Sequence, residues 1–440
     1  MKLPFAPPRS LALAISRSRS RDKQPLEDEN PPLPYFLYTG QPSSTIPRDI
    51  QHVIIDPSVK VISERAFYDC DQLEIVEFCH GLEEIKDRAF RHCTSLTSIC
   101  IPPTVRIIDD SAFRDCTSLV EVQLCGGNNN SSSNKDDDTV DGNANEEPAI
   151  IEEDNDYNTV ELVQIGWGAF RNCKSLKQLT IPSSVKEIGH EAFRDCVQLS
   201  TVQICDGVER IQNDAFYNCA SLTRITIPSS VGTIGPSAFY DCQQLMDVEL
   251  CDGLQIIDTS AFSNCKSLQH IAIPGTVRVI GQEAFSFCEQ LVEVDLWEGL
   301  EEIKDGAFME CISLQNVTIP STVKVIERSC FSSCKGLVNV TFNEGLEEIV
   351  DCAFRDCKLL KSIKVPSSVR SIGYEVFYNC ESLEEVDICG GLEQIGVNAF
   401  WDCKSLQYVR LPSTITAIVG AKLVEGQVMP CAIPTFIFLS

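Results

Sequence analysis

Five histidines and 23 cysteines are the residues of this 440-residue chain best suited to acid–base, nucleophilic or metal chemistry. His52, His80, His92, His190 and His270 are read as falling on different repeat positions, so no Ser/His/Asp or Cys/His set is implied. Fourteen of the 23 cysteines recur in one slot, from Cys70, Cys93, Cys116 and Cys173 through to Cys403. A metal needs ligands that converge on a point, whereas such a series spreads thiols along a line. These cysteines read as small buried hydrophobes. A second series, Cys79, Cys125, Cys205, Cys251 and Cys389, recurs in alternate copies. Where one coil intervenes its members lie ~10 Å apart, too far for a disulfide. The odd total and the need to fit bridges into an in-register ladder favour free thiols in a reducing compartment. No cofactor, metal or catalytic residue is expected.

The element that positions all of these residues is a 23-residue repeat, seen in Ile181 to Leu199, IPSSVKEIGHEAFRDCVQL. Phe193 returns at Phe216, Phe239, Phe262 and onward to Phe400, with Phe67, Phe90, Phe113 and Phe170 before it, giving fourteen copies. Every copy keeps Ile five residues before the Phe, Cys three after and Leu six after. A fixed period of this size signals a solenoid whose coils bury their apolar faces only against each other. Alternation around Leu199, Val202 and Ile204 predicts one short strand per coil, and Val185 with Ile188 predicts a second extended segment. The Phe-centred portion has room for one helical turn at most. The expected fold is therefore α/β to mainly β, a solenoid of parallel strands and short helical turns. Asp or Asn stands two residues after the Phe in ten of the fourteen copies, which suits a turn with side-chain caps. A slower 46-residue rhythm alternates Ile-Pro, as at Ile181-Pro182, with a Gly turn, as at Cys205-Asp206-Gly207.

Along the chain, residues 1–49 are basic and Pro-rich and read as a disordered leader better than as a transit peptide. Residues 50–126 hold the first part of the array, opened by a half coil at Ile50, Val53 and Ile55. Residues 127–160 form a polar insert whose ten acidic residues and single Lys135 supply −9 of the formal −27. It is expected to leave the coils continuous across it. Within it, Asp137 to Asn145 is a poor calcium loop because Pro148 stands where a bidentate Glu is needed. Ser133 with Asp136 would suit an acid-directed kinase, and Asn130 sits in a glycosylation sequon. Residues 161–420 carry the rest of the array, and 421–440 form a degenerate cap. No run of 18 apolar residues occurs, so no membrane-spanning helix is expected. The acidic balance repels nucleic acid.

The string I-x-x-I-G-x-x-A-F-x-x-C-x-x-L, present as Val231 through Ile234-Gly235, Ala238-Phe239, Cys242 and Leu245, resembles the BspA-type leucine-rich repeat. The resemblance covers about residues 50 to 418 apart from the insert. It implies a parallel solenoid with a strand sheet along one side, working in protein recognition or adhesion, and no catalytic residues. No secretion signal or wall anchor of the kind that surface members carry stands out, and a cytoplasmic location is expected.

Recognition would then use the outward strand positions eight and ten residues after each Phe. In every second coil these are often acidic: Asp247 and Glu249, Glu293 and Asp295, Glu385 and Asp387. The coils between offer Arg224, His270 and Tyr408, and Trp297 replaces the usual Cys beside the densest carboxylates. Acidic rows about 10 Å apart are near one Debye length, so their repulsion is screened. The expected function is a non-catalytic interaction scaffold that docks a protein partner with a basic patch. The alternative is a surface or secreted adhesive protein.

Overall fold

The computed structural model describes residues 35–124 and 162–418, and beyond them the strands Leu423–Val424, Gln427–Val428 and Thr435–Phe438. The leader up to residue 34, the insert readings at 127–160 and the remainder of the tail lie outside the described residues.

Each coil contributes a longer strand, of four residues in all but Ile75–Glu77 and typified by Asp247–Leu250, and a two-residue strand such as Ile256–Ile257. The two-residue strands form one unbroken parallel sheet of 15, from Val61–Ile62 to Ala417–Ile418. The longer strands form three parallel runs of three, six and eight, with breaks before Ser98–Ile101 and between Asp247–Leu250 and His270–Ile273. Register advances by one repeat per coil, as in Arg224↔Asp247. Coils on either side of the insert pair directly, Ile107 with Gln164 and Ile108 with Ile165. At the C-terminal end Thr435–Phe438 adds a parallel strand to Tyr408–Leu411.

The array begins earlier than Ile50. Strand Tyr35–Tyr38 pairs with His52–Ile55, and buried Tyr38 sets its ring 5.1 Å from Phe67. Tyr38 thus heads the aromatic spine, an aromatic ring standing where no earlier coil supplies a Phe.

That spine runs through the whole array: successive Phe rings stack with centroids 4.9–5.6 Å apart and planes within 12°. Such pairs contribute about 0.5–1.5 kcal/mol each beyond area burial. The repeat cysteines line the same core. From Cys93 onward each thiol donates to the carbonyl oxygen of the Phe one coil before, as from Cys242 to Phe216 at 3.3 Å and Cys311 to Phe285 at 3.2 Å. A buried weak donor is thereby satisfied by the neighbouring coil.

The expected helical turn does not form. Among the described residues the one helix is the 3-10 turn Ser43–Thr45. Around each spine Phe the backbone enters the left-handed region twice, as at Arg65 (φ 54°) and Asp69 (φ 59°). Alternate amides therefore point out of the coil: Arg65, Phe67 and Asp69 donate to Asp87, Ala89 and Arg91 of the next coil, while Ala66, Tyr68 and Cys70 donate three residues back. A helix would keep every amide inside the coil; sharing them ties the coils together, and the fold is almost wholly β.

The 46-residue rhythm has a packing cause. Gly207 (φ 122°) and Gly253 (φ 124°) sit where a Cβ would stand 2.1 Å from the Ser183 and Ser229 carbonyl oxygens of the preceding Pro-bearing coil. Their amides donate to Ser230 and Thr276 hydroxyls of the following one, at 2.8 and 3.1 Å. Charge alternates with the same period on the short-strand side, pairing Lys60 with Glu83 and Lys186 with Glu209 at 3.4 and 3.8 Å.

Candidate functional site on the long-strand face

In the long strands from Ser98–Ile101 to Glu385–Ile388 the second residue is buried and the first and third face out, because side chains alternate across a strand. Val248 is buried while Asp247 and Glu249 are exposed; Val294 is buried while Glu293 is exposed and Asp295 half-buried. Glu385 and Asp387 take the same two outward slots. Tyr408 opens strand Tyr408–Leu411, but its side chain lies outside the described residues.

The acidic rows are less free than the sequence suggested. Arg224 Nε lies 3.0 Å from Asp247 Oδ2, and Thr226 donates to Glu249 at 3.1 Å. His270 Nε2 lies 3.1 Å from Asp295 Oδ2. These two acidic coils therefore lean on the basic or polar coil before them. Exposed pairs of this kind contribute about 0–1 kcal/mol, so a partner can exchange them cheaply.

Trp297 follows strand Glu293–Leu296 and is 61% exposed. With Glu293 and Asp295 it occupies alternate positions, which places two carboxylates and an indole along one side of a single coil. Gly275 stands in the preceding coil where four other Pro-bearing coils have Ser183, Ser229, Ser321 and Ser367, and a Cβ there would meet the Glu298 carbonyl oxygen at 3.2 Å.

The structure adds residues that sequence reasoning passed over. A groove of about 510 Å³ runs over the outward residues Thr201, Gln203, Arg224, Thr226 and Asp247, with Met246 at its side. Met246 is 50% exposed one residue before its strand, where the repeat places no core residue. A large apolar side chain in a slot the core does not use was the available signal.

One histidine assignment also changes. His52 of the half coil occupies the same outward slot as His270, and each pairs with a carboxylate 25 residues on, His52 with Glu77 at 2.8 Å. The two are eight coils apart by strand register, so they form no joint site. Among the described residues no group of three His, Cys, Asp or Glu is placed to hold a metal ion. Burial pushes the ladder thiols Cys242 and Cys288 up, each to about 12. A thiol so placed is a poor nucleophile.

A family profile described as BspA type leucine rich repeat region, in six copies, matches residues 47–135, 163–292, 209–336 and 301–422. The chain belongs to the BspA-type leucine-rich-repeat family. Among solved structures it is similar to a leucine-rich repeat protein from Bacteroides ovatus at 23% identity, covering 89% of this chain and 85% of that one with a TM-score of 0.65. It also matches a leucine rich cell surface protein from Faecalibacterium prausnitzii at 24% identity, over 77% of this chain and 79% of that one, with a TM-score of 0.38. The first likeness shows the fold. No curated protein matches the chain. No helix among the described residues is long and apolar enough to cross a membrane.

Proposed function

We propose that this BspA-type repeat protein is a non-catalytic recognition scaffold whose long-strand face docks a protein partner bearing a basic patch. The observation that carries this reading is the set of outward carboxylates, Asp247 and Glu249 at the end of one strand run and Glu293 and Asp295 in the next, with exposed Trp297 following the second pair. A rigid row of side chains needs little ordering on binding, which favours affinity. Weak internal pairs with Arg224, Thr226 and His270 hold the carboxylates in place until a partner's cations replace them. Glu385 and Asp387, with Tyr408 in the coil beyond, extend the same face toward the C-terminal end. The test is a pull-down with wild type and with Asp247, Glu249, Glu293 and Asp295 all changed to Ala, at low and high salt. Partners held by wild type at low salt should be lost from the variant and from wild type at high salt. Recovery of the same partners by the variant would reject the reading.

We place this activity in a reducing, cytoplasmic setting, supported by the thiol ladder donating to carbonyls. A second reading, an exported adhesive protein, is favoured by one observation: exposed Asn316 and Asn339 both stand in Asn-Val-Thr sequons on adjacent outward strand positions. Export would leave a glycan on one of them, visible by mass spectrometry of the native protein. Complete thiol titration with no glycan would instead favour the first reading.

A further inference from the structure

The turn that carries the spine Phe has its own surface, on a different side of each coil from the long strands. Two residues after the Phe, the backbone is left-handed in every coil, with φ from 55° to 65°. Asp and Asn tolerate this conformation because their short side chains hydrogen-bond locally. They also join the coils. Asn172 donates to Asp115 at 2.7 Å, Asn218 to Asp195 at 3.0 Å and Asn379 to Asp356 at 2.6 Å, and Asn264 likewise donates to Asp241.

For three coils the ladder stops, and Phe287, Glu310 and Ser333 occupy the slot. Phe287, at φ 58°, is the single large apolar residue among the fourteen. A bulky side chain is disfavoured in this backbone, and the ring is 41% exposed, so burial within the chain does not compensate. Its surroundings change with it. Immediately after the spine Phe, neighbouring coils carry Arg171, Arg194, Tyr217 and Tyr240, but these three coils carry Ser286, Met309 and Ser332, and the coil just before them carries Ser263. The three serines are buried, with Ser263 Oγ 2.8 Å from Ser286 Oγ. The surface is thus lowered, and Phe287 stands on it with Ile312, itself 37% exposed. Both rim cations are paired, Lys266 meeting Glu289 at 2.8 Å and Lys335 meeting Glu310 at 3.5 Å, while the half-buried Glu283 carboxylate accepts only from Gln282 among the described residues.

We propose that Phe287 and Ile312 form a second docking surface, for a segment of another protein that presents an apolar side chain and no net charge at the contact. With both rim cations paired, an anionic segment finds no free counter-charge, and the apolar pair supplies the contact. A second copy of this chain would bring a further formal −27 against the first. Contact here should therefore be apolar, heterologous and indifferent to salt, unlike docking on the strand face.

The full chain, immobilised, is screened against a phage-displayed random peptide library, with Phe287→Asn and Ile312→Ser as variants. Asn is the residue this backbone prefers, so Phe287→Asn should raise Tm while lowering binding of the enriched peptides at least tenfold. Those peptides should carry an apolar anchor, hold equally at low and high salt, and bind normally when Asp247 and Glu293 are changed to Ala. Enrichment of no peptide, equal binding by Phe287→Asn, or a lower Tm for that variant would each overturn the proposal. A dimer of the wild type that Phe287→Asn dissociates would overturn it in favour of self-association. Loss of the strand-face partners alone leaves this result untouched, so the two surfaces fail separately.

Discussion

The turn surface over Phe170 to Phe239 and the same surface over Phe262 to Phe331 share one backbone and carry different chemistry. In the first, Arg194 lies 4.0 Å over the Tyr217 ring, Tyr217 stacks on Tyr240 at 4.9 Å, and Asn218 donates to Asp195. In the second, buried serines replace the tall side chains and Phe287 stands exposed. Beneath both, the spine rings stack alike, at 5.3 Å for Phe216 on Phe239 and 5.4 Å for Phe285 on Phe308. A core that repeats this closely sets the backbone, and the outer slots can then diverge at a cost small beside that of breaking the core. Function should be sought where a slot departs from what its backbone favours.

The comparison can be broken first at the thiols, where the largest effect is expected. An ordinary thiol ionises near 9.0, and burial raises Cys242 and Cys288, one beneath each region, to about 12. Between those values the unfolded chain has lost protons that the folded chain keeps. Stability is therefore full below about pH 9 and falls as pH rises toward 12. For these two thiols together this amounts to roughly 4 kcal/mol by pH 10.5, at ~1.4 kcal/mol per pH unit each, read as a falling urea midpoint by circular dichroism between pH 8 and 10.5. Changing Cys242 and Cys288 to Ala should flatten that slope; an unchanged slope would mean other groups control it.

Next in size are Phe216→Ala and Phe308→Ala, one in the spine beneath each region. Each should cost about 3–5 kcal/mol, and chemical denaturation should give nearly equal values. A difference above about 2 kcal/mol would mean that the two regions do not share one kind of core.

Gly253→Ala, at φ 124° and 2.1 Å from a carbonyl oxygen, should cost about 1–3 kcal/mol and lower Tm. The smallest contrast lies on the turn surface itself. Asn218→Ala removes a side-chain bond between coils and should cost about 0.5–1.5 kcal/mol. Ser333→Ala, outside that ladder, should stay within about 0.5 kcal/mol. Equal losses from the two would deny that the ladder stabilises the first region more than the second.

Much of this was legible in the residues. Phe, Ile, Cys and Leu at fixed offsets specify an interior, because only a stacked core requires the same apolar side chain at the same place in every coil. The outward strand slots followed from period-two alternation, so Asp247, Glu249, Glu293, Asp295, Glu385 and Asp387 could be placed on one face. Their contacts were not legible. Arg224 meets Asp247 and His270 meets Asp295 because adjacent coils bring residues 23 and 25 positions apart into contact, and side-chain rotamers choose between those diagonals. The helical turn was misjudged for a related reason. Six residues around a Phe suit a helical turn locally, but the next coil's carbonyls compete for alternate amides. Tyr38 at the head of the spine was hidden because it stands outside the repeat.

The chain's own sequence thus determined the period, the inward residues and the family, since those depend on a pattern that any stacking must obey. Tertiary structure decided which carboxylates are paired, that the turns are left-handed and not helical, and that Phe287 stands on a surface cleared of its neighbours. Those outcomes depend on what one coil offers the next across about 5 Å, a distance at right angles to the chain.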